Sequence, residues 1–128
     1  EMDAQKVKRV VMCSGKVYYD LLEHRRMAEV NDVALIRIEE LYPFPVKQLN
    51  KIVGQYVNAK ELIWCQEEPK NQGAWDYFEP RLAAKLEHSE DVRYVGREPS
   101  SVPAVGSAIV HARQQKALVA EALGIDIQ

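Results

Sequence analysis

Trp64-Cys65-Gln66-Glu67-Glu68-Pro69-Lys70-Asn71-Gln72-Gly73-Ala74-Trp75, entered through Leu62-Ile63, decides the fold. It begins as an apolar run, turns polar at two adjacent glutamates, breaks at Pro69 and Gly73, and resumes with an aromatic. A strand buried on both faces that empties into a loop and then a helix has this order of residues. The same pattern lies on either side of it. Arg9-Val10-Val11-Met12-Cys13 is a short apolar run stopped by Ser14-Gly15, and Val33-Ala34-Leu35-Ile36-Arg37-Ile38 is a second run rich in β-branched residues. Val92-Arg93-Tyr94-Val95 is a fourth, stopped by Gly96-Arg97.

Helical periodicity fills the intervals. Lys16 to Val30 places Val17, Leu21 and Leu22 on one stripe, with Glu23, His24, Arg25 and Arg26 toward solvent and Asn31-Asp32 as the turn. Val46, Leu49, Ile52, Val53, Tyr56 and Val57 recur at helical steps after Pro45, which suits a first helical position. A third helix is expected from about Trp75 to Leu86, with Phe78 and Leu82 inward and a kink or late start at Pro80. The last runs over Val105–Leu123, with Ile109, Ala112, Val119 and Leu123 inward and Gly124 as its stop. Strand and helix alternate four times. That order predicts an α/β domain of three αβα layers around a mostly parallel sheet. Residues 1–8 read as a linker and 9–128 as one domain.

Composition sets bounds. The chain has 128 residues, enough for one domain with its own core. A formal charge of -2 gives no concentrated cation excess for nucleic acid, and no apolar run approaches a membrane span of about 20 residues. Cys13 and Cys65 end apolar runs and read as buried reduced thiols. The first residues are charged with no apolar core behind them, so no signal peptide is expected; the chain begins at Glu1 rather than at a methionine, so a fragment of a longer protein is expected.

A parallel sheet brings the carboxyl ends of its strands to one edge, where ligands collect. Four loops converge there: Ser14-Gly15-Lys16, Glu39-Glu40-Leu41-Tyr42-Pro43, the stretch after Cys65, and Gly96-Arg97 with Glu98 to Pro103 behind it. Ser14-Gly15-Lys16 lacks the first glycine and the Ser or Thr of a phosphate loop, and Ser14 reads as a helix cap over a glycine turn. Glu67 and Glu68 are adjacent, so on an extended chain they point to opposite sides and cannot act as a facing acid–base pair. One of them is expected to cap a helix or meet a cation. His24, His88 and His111 match no metal spacing, with His111 expected half-buried, and no nucleophile motif is present. Arg97 is expected to pair with the glutamates or to hold an anion.

Val11 to Leu21, Arg37 to Pro45, Trp64 to Pro69 with Asn71 to Trp75, and Gly96-Arg97 with Pro103-Ala104-Val105-Gly106 closely resemble one family. It is the carboxyl-terminal domain of the thiamine-diphosphate-dependent decarboxylase component of the 2-oxoglutarate dehydrogenase complex, a transketolase-like fold. The likeness runs from about Lys8 to Ile125. It implies a homodimeric parent enzyme that decarboxylates 2-oxoglutarate on thiamine diphosphate with magnesium and succinylates a lipoyl group in the citric acid cycle. Its partners would be dihydrolipoyl succinyltransferase and lipoamide dehydrogenase, in the cytoplasm of a bacterium or the mitochondrial matrix of a eukaryote. The cofactor would lie between other domains, so no catalytic, cofactor or metal residue is expected in this chain. Its expected role is assembly, through contacts with the remaining domains and the dimer partner. Glu67, Glu68, Asn71, Gln72, Trp75, Tyr42 and Phe44 are the interface candidates. The alternative is a regulatory nucleotide or acyl-coenzyme A site at Ser14, Lys16, Arg37 and Arg97 on the same edge.

Overall fold

Four apolar runs pair into one sheet. In a computed structural model, which describes residues 3–39, 46–70, 73–75, 92–97 and 108–125, they form β1 (Arg9–Cys13), β2 (Val33–Arg37), β3 (Glu61–Pro69) and β4 (Val92–Arg97). The strand order is β2-β1-β3-β4, and every neighbouring pair is parallel. Among the described residues, α1 (Val17–Met27), α2 (Val46–Gly54) and α3 (Ala108–Leu123) accompany them.

The pleat sorts the core into two halves. Val10, Met12, Ile36, Leu62 and Trp64 point to one face and pack with Leu49 and Val53 of α2. Val11, Cys13, Ile63, Cys65 and Val95 point to the other and meet Val17 and Leu21 of α1 and Leu118, Val119, Ala122 and Leu123 of α3. With helices on both faces, the expected three-layer α/β architecture stands. Gly124 ends α3 as expected, with φ +74° and Ile125 N–H donating back to Ala120 O at 2.9 Å.

Several local expectations change. β3 does not empty at Cys65: Gln66, Glu67, Glu68 and Pro69 stay extended, because β4 offers them a partner across a register shift between Cys65 and Pro69. Lys16, not Ser14, stands before α1, and no side chain caps that helix. The turn after α1 falls at Ala28-Glu29, where Glu29 takes φ +57°, ahead of the expected Asn31-Asp32. His24 and Arg25 are half-buried rather than solvent-facing, and Arg25 Nη1 donates to Val33 O at 3.1 Å. α2 stops at Gly54, so Val57 is 64% exposed, while Leu49 and Val53 reach the core and Tyr56 packs partly buried against it. On α3, Ile109 is 67% exposed, and Ala112 and His111 are exposed too. The stretch assigned to a linker carries a 3-10 turn at Ala4–Lys6 and buries Val7 completely, with Lys8 N–H donating to Asp32 O at 2.8 Å. The helix expected over Trp75–Leu86 beyond Trp75, the loop from Glu98 to Pro103, and Tyr42, Phe44, Asn71, Gln72 and His88 lie outside the described residues.

Candidate functional site

The order β2-β1-β3-β4 makes successive crossovers diverge between β1 and β3, and such a divergence opens a crevice at the carboxyl ends of those strands. Here two residues fill it. Lys16, in the turn after β1, places Nζ 2.9 Å from Oε1 of Glu67 near the end of β3. Gln115 of α3 reaches the same carboxylate, with Nε2 3.0 Å from Glu67 Oε1 and 2.8 Å from Asp20 Oδ2 on α1. The Gln115 amide oxygen accepts from Arg97 Nη2 at 3.1 Å. Arg97 completes the circuit by donating Nη1 to the Glu67 backbone carbonyl and Nε to Gln114 Oε1, the latter at 3.4 Å. One amide thus joins α1, β3, β4 and α3. Each of its polar atoms is engaged, which is what a half-buried polar group requires.

The electrostatics follow from those distances. The hydrogen bond and charge of Glu67 raise the Lys16 ammonium above its ordinary range, and that side chain remains 79% exposed. Burial pushes the Cys13 thiol up to about 12, and Cys65 is pushed up further by the same cause. Both thiols are fully buried and free. A thiol held protonated in an apolar core is a packing group rather than a nucleophile.

The opposite face of the same strand end is also closed. Trp64 Nε1 donates to Gln66 Oε1 at 2.8 Å, and Gln66 Nε2 donates to the carbonyls of Glu68 and Pro69 at 3.1 and 3.0 Å. Gln66 is therefore buried without an unmet polar atom on its amide. Tyr94 of β4 donates its hydroxyl to Arg97 O at 2.7 Å and packs its ring 5.4 Å from that of Trp75. Gly96 is required for this approach. A Cβ there would fall 2.7 Å from Gln66 O and 2.8 Å from Tyr94 Cζ.

The candidates separate accordingly. Glu67 and Glu68 point to opposite sides: Glu67 meets Lys16 and Gln115, while Glu68 is exposed. Lys16 and Arg97 come together through Glu67, whereas Arg37 makes its contacts on α1, over the rings of Tyr18 and Tyr19 and with Nη1 3.0 Å from the Tyr19 hydroxyl. Ser14 joins neither group among the bonds of the described residues. Trp75, expected as an exposed contact, is only 8% exposed and belongs to the core with Tyr94 and Trp64. Sequence reasoning missed Gln115 altogether. A glutamine midway along a helix carries no signal until the fold sets Asp20 and Glu67 on either side of it.

The sequence profile described as 2-oxoglutarate dehydrogenase C-terminal matches residues 1–123. Among similar proteins, the 2-oxoglutarate dehydrogenase E1 component of Haemophilus influenzae is 51% identical over 96% of this chain and 13% of that protein. Those of Azotobacter vinelandii and Rickettsia prowazekii are 46% and 47% identical over 97% and 99% of this chain, in each case 14% of the relative. The chain thus spans 13–14% of the length of these three relatives. With profile, identity and an all-parallel sheet in agreement, the chain belongs to the 2-oxoglutarate dehydrogenase C-terminal family.

Proposed function

We propose that this chain is a non-catalytic assembly domain of a 2-oxoglutarate dehydrogenase E1 component. The whole enzyme, on this reading, is a cytoplasmic homodimer that decarboxylates 2-oxoglutarate on thiamine diphosphate with magnesium. It then passes a succinyl group to the lipoyl arm of dihydrolipoyl succinyltransferase, with lipoamide dehydrogenase as the third member of the complex. The observation that carries the domain's role is the filled crevice. Where a parallel sheet ordinarily takes its ligand, Lys16, Glu67, Gln115 and Arg97 satisfy one another.

The described residues lend no support to a cofactor held within this domain. Among the described residues no group of three or more His, Cys, Asp or Glu side chains is placed to hold a metal ion. The turn at Gly15 has its lysine already engaged by Glu67, so it offers no cradle for a diphosphate. No catalytic step is therefore assigned to this chain. The alternative regulatory anion site draws less support: an anion at Lys16 would share the ammonium with the Glu67 carboxylate and meet its negative charge, and Arg37 is held apart on Tyr18 and Tyr19.

The test is deletion and rescue. A full-length E1 cut before this domain should lose dimerisation and activity, and supplying the domain separately should restore them. A truncated enzyme that dimerises and turns over normally would show the assembly role to be wrong.

A further inference from the structure

The two halves of α3 are different surfaces. Leu118, Val119, Ala120, Ala122 and Leu123 are buried, whereas residues 109–114 are exposed without exception. Six consecutive residues exceed one and a half turns at 3.6 residues per turn, so at that level no side of the helix carries a buried side chain. An amphipathic helix lying on a core alternates between buried and exposed with the helical period; this half does not. Its length is about 9 Å at 1.5 Å per residue. Its base is fixed, because Gln114 and Gln115 are tied to Arg97, Glu67 and Asp20. The arm therefore holds a set direction.

Its chemistry is equally marked. Ile109 is 67% and Val110 42% exposed, side by side. His111, Arg113 and Lys116 follow, and from Ala108 to Ala120 there is no Asp or Glu. The first turn thus adds no acid to offset the positive end of the helix dipole. Among the described residues the other exposed large apolar side chains are Met27, Ile52, Val57, and Tyr19 against Arg37.

We propose that the amino-terminal half of α3 is the arm by which this domain docks on the rest of its own enzyme chain. Its seat there has an apolar centre for Ile109 and Val110 and a carboxylate for Arg113. This rests on the assembly role proposed above and gives it a location. The occupant follows from length and charge. A chain that is 13–14% of its relatives leaves most of the enzyme to meet, and the arm offers it two exposed apolar side chains and the Arg113 cation with no carboxylate.

The test uses full-length E1. Ile109→Asp combined with Val110→Asp should lower dimer content and activity by about tenfold or more, whereas Met27→Asp should stay within about twofold of wild type. A gentler pair covers the case in which two new carboxylates disturb folding: Val110→Cys should react with a maleimide about tenfold more slowly than Met27→Cys in the assembled enzyme. Equal labelling at the two positions overturns the docking arm. So does slow labelling at 110 with full assembly of the Asp variant, which assigns the cover to the domain's own residues. Deleting the whole domain separates the two levels. If deletion abolishes assembly and the Asp variant does not, only the arm is wrong; if deletion leaves assembly intact, the assembly role falls with it.

Discussion

Two arginines bracket the sheet, and they are held by different chemistry. Arg9, at the amino end of β1, sets Nε and Nη2 3.0 and 2.9 Å from Glu61 Oε1 and donates Nη1 to the carbonyls of Glu121 and Ala122, both at 3.0 Å. It meets a carboxylate and the negative end of α3 at once. Arg97, at the carboxyl end of β4, donates to neutral oxygens: the Glu67 carbonyl and the amides of Gln114 and Gln115. The Glu67 carboxylate goes to Lys16 and Gln115 instead. The amino edge is therefore a clamp in which one guanidinium pairs with a carboxylate of β3 and holds the last carbonyls of α3. The carboxyl edge is a relay whose polar groups are all met only when every member is present. The first is built for stability. The second holds the ligand-prone edge in one arrangement.

The sharpest way to break this contrast is Arg9→Ala. The Arg9 side chain is 16% exposed and Glu61 47%, so the ion pair is partly screened, but the two carbonyls of α3 also lose their donor. A loss of about 2–3 kcal/mol is expected in urea denaturation, with the last turn of α3 losing amide protection first. Gln115→Leu should cost less, about 1–2 kcal/mol, because it leaves Asp20 and Arg97 each short of one partner while Glu67 keeps Lys16. If Gln115→Leu costs as much as Arg9→Ala, the edges are not different in kind. Lys16→Met should change stability by no more than about 0.5 kcal/mol, since its ammonium is almost wholly in water. Its pH signature has a definite sign. The folded Lys16 is raised above its unfolded value by Glu67, so its small contribution is complete below the ordinary lysine range and fades as pH climbs through the folded value. Comparing denaturation midpoints of wild type and Lys16→Met between neutral and strongly alkaline pH would expose a slope of the opposite sign.

Apolar continuity made the sheet legible. Val10 to Cys13, Val33 to Ile36 and Leu62 to Cys65 each announce a strand because local hydrophobicity alone suffices for a strand buried on both faces, and the partly buried Val92 to Val95 does so by its β-formers. What stayed hidden depends on distant partners. Gln66 to Pro69 look like a loop until β4 lies beside them, and Trp75 looks exposed until Tyr94 stacks on it. Helical period predicted an inward face for all of α3, yet period says nothing about where a helix runs out of core to cover. Ile109 and Ala112 lie beyond that point; Val119 and Leu123 do not. At the edge, the opposed directions of Glu67 and Glu68 came directly from the geometry of an extended chain, while the role of Gln115 required the tertiary fold.

Cys13 and Cys65 sit opposite each other in the β1–β3 register, at the centre of the sheet and sealed from water. A reagent that needs a thiolate can touch neither until α1 and α3 lift from that face of the sheet. Their modification rate is thus a stopwatch on the helix layer, and it reads how often the packing over β1 and β3 opens.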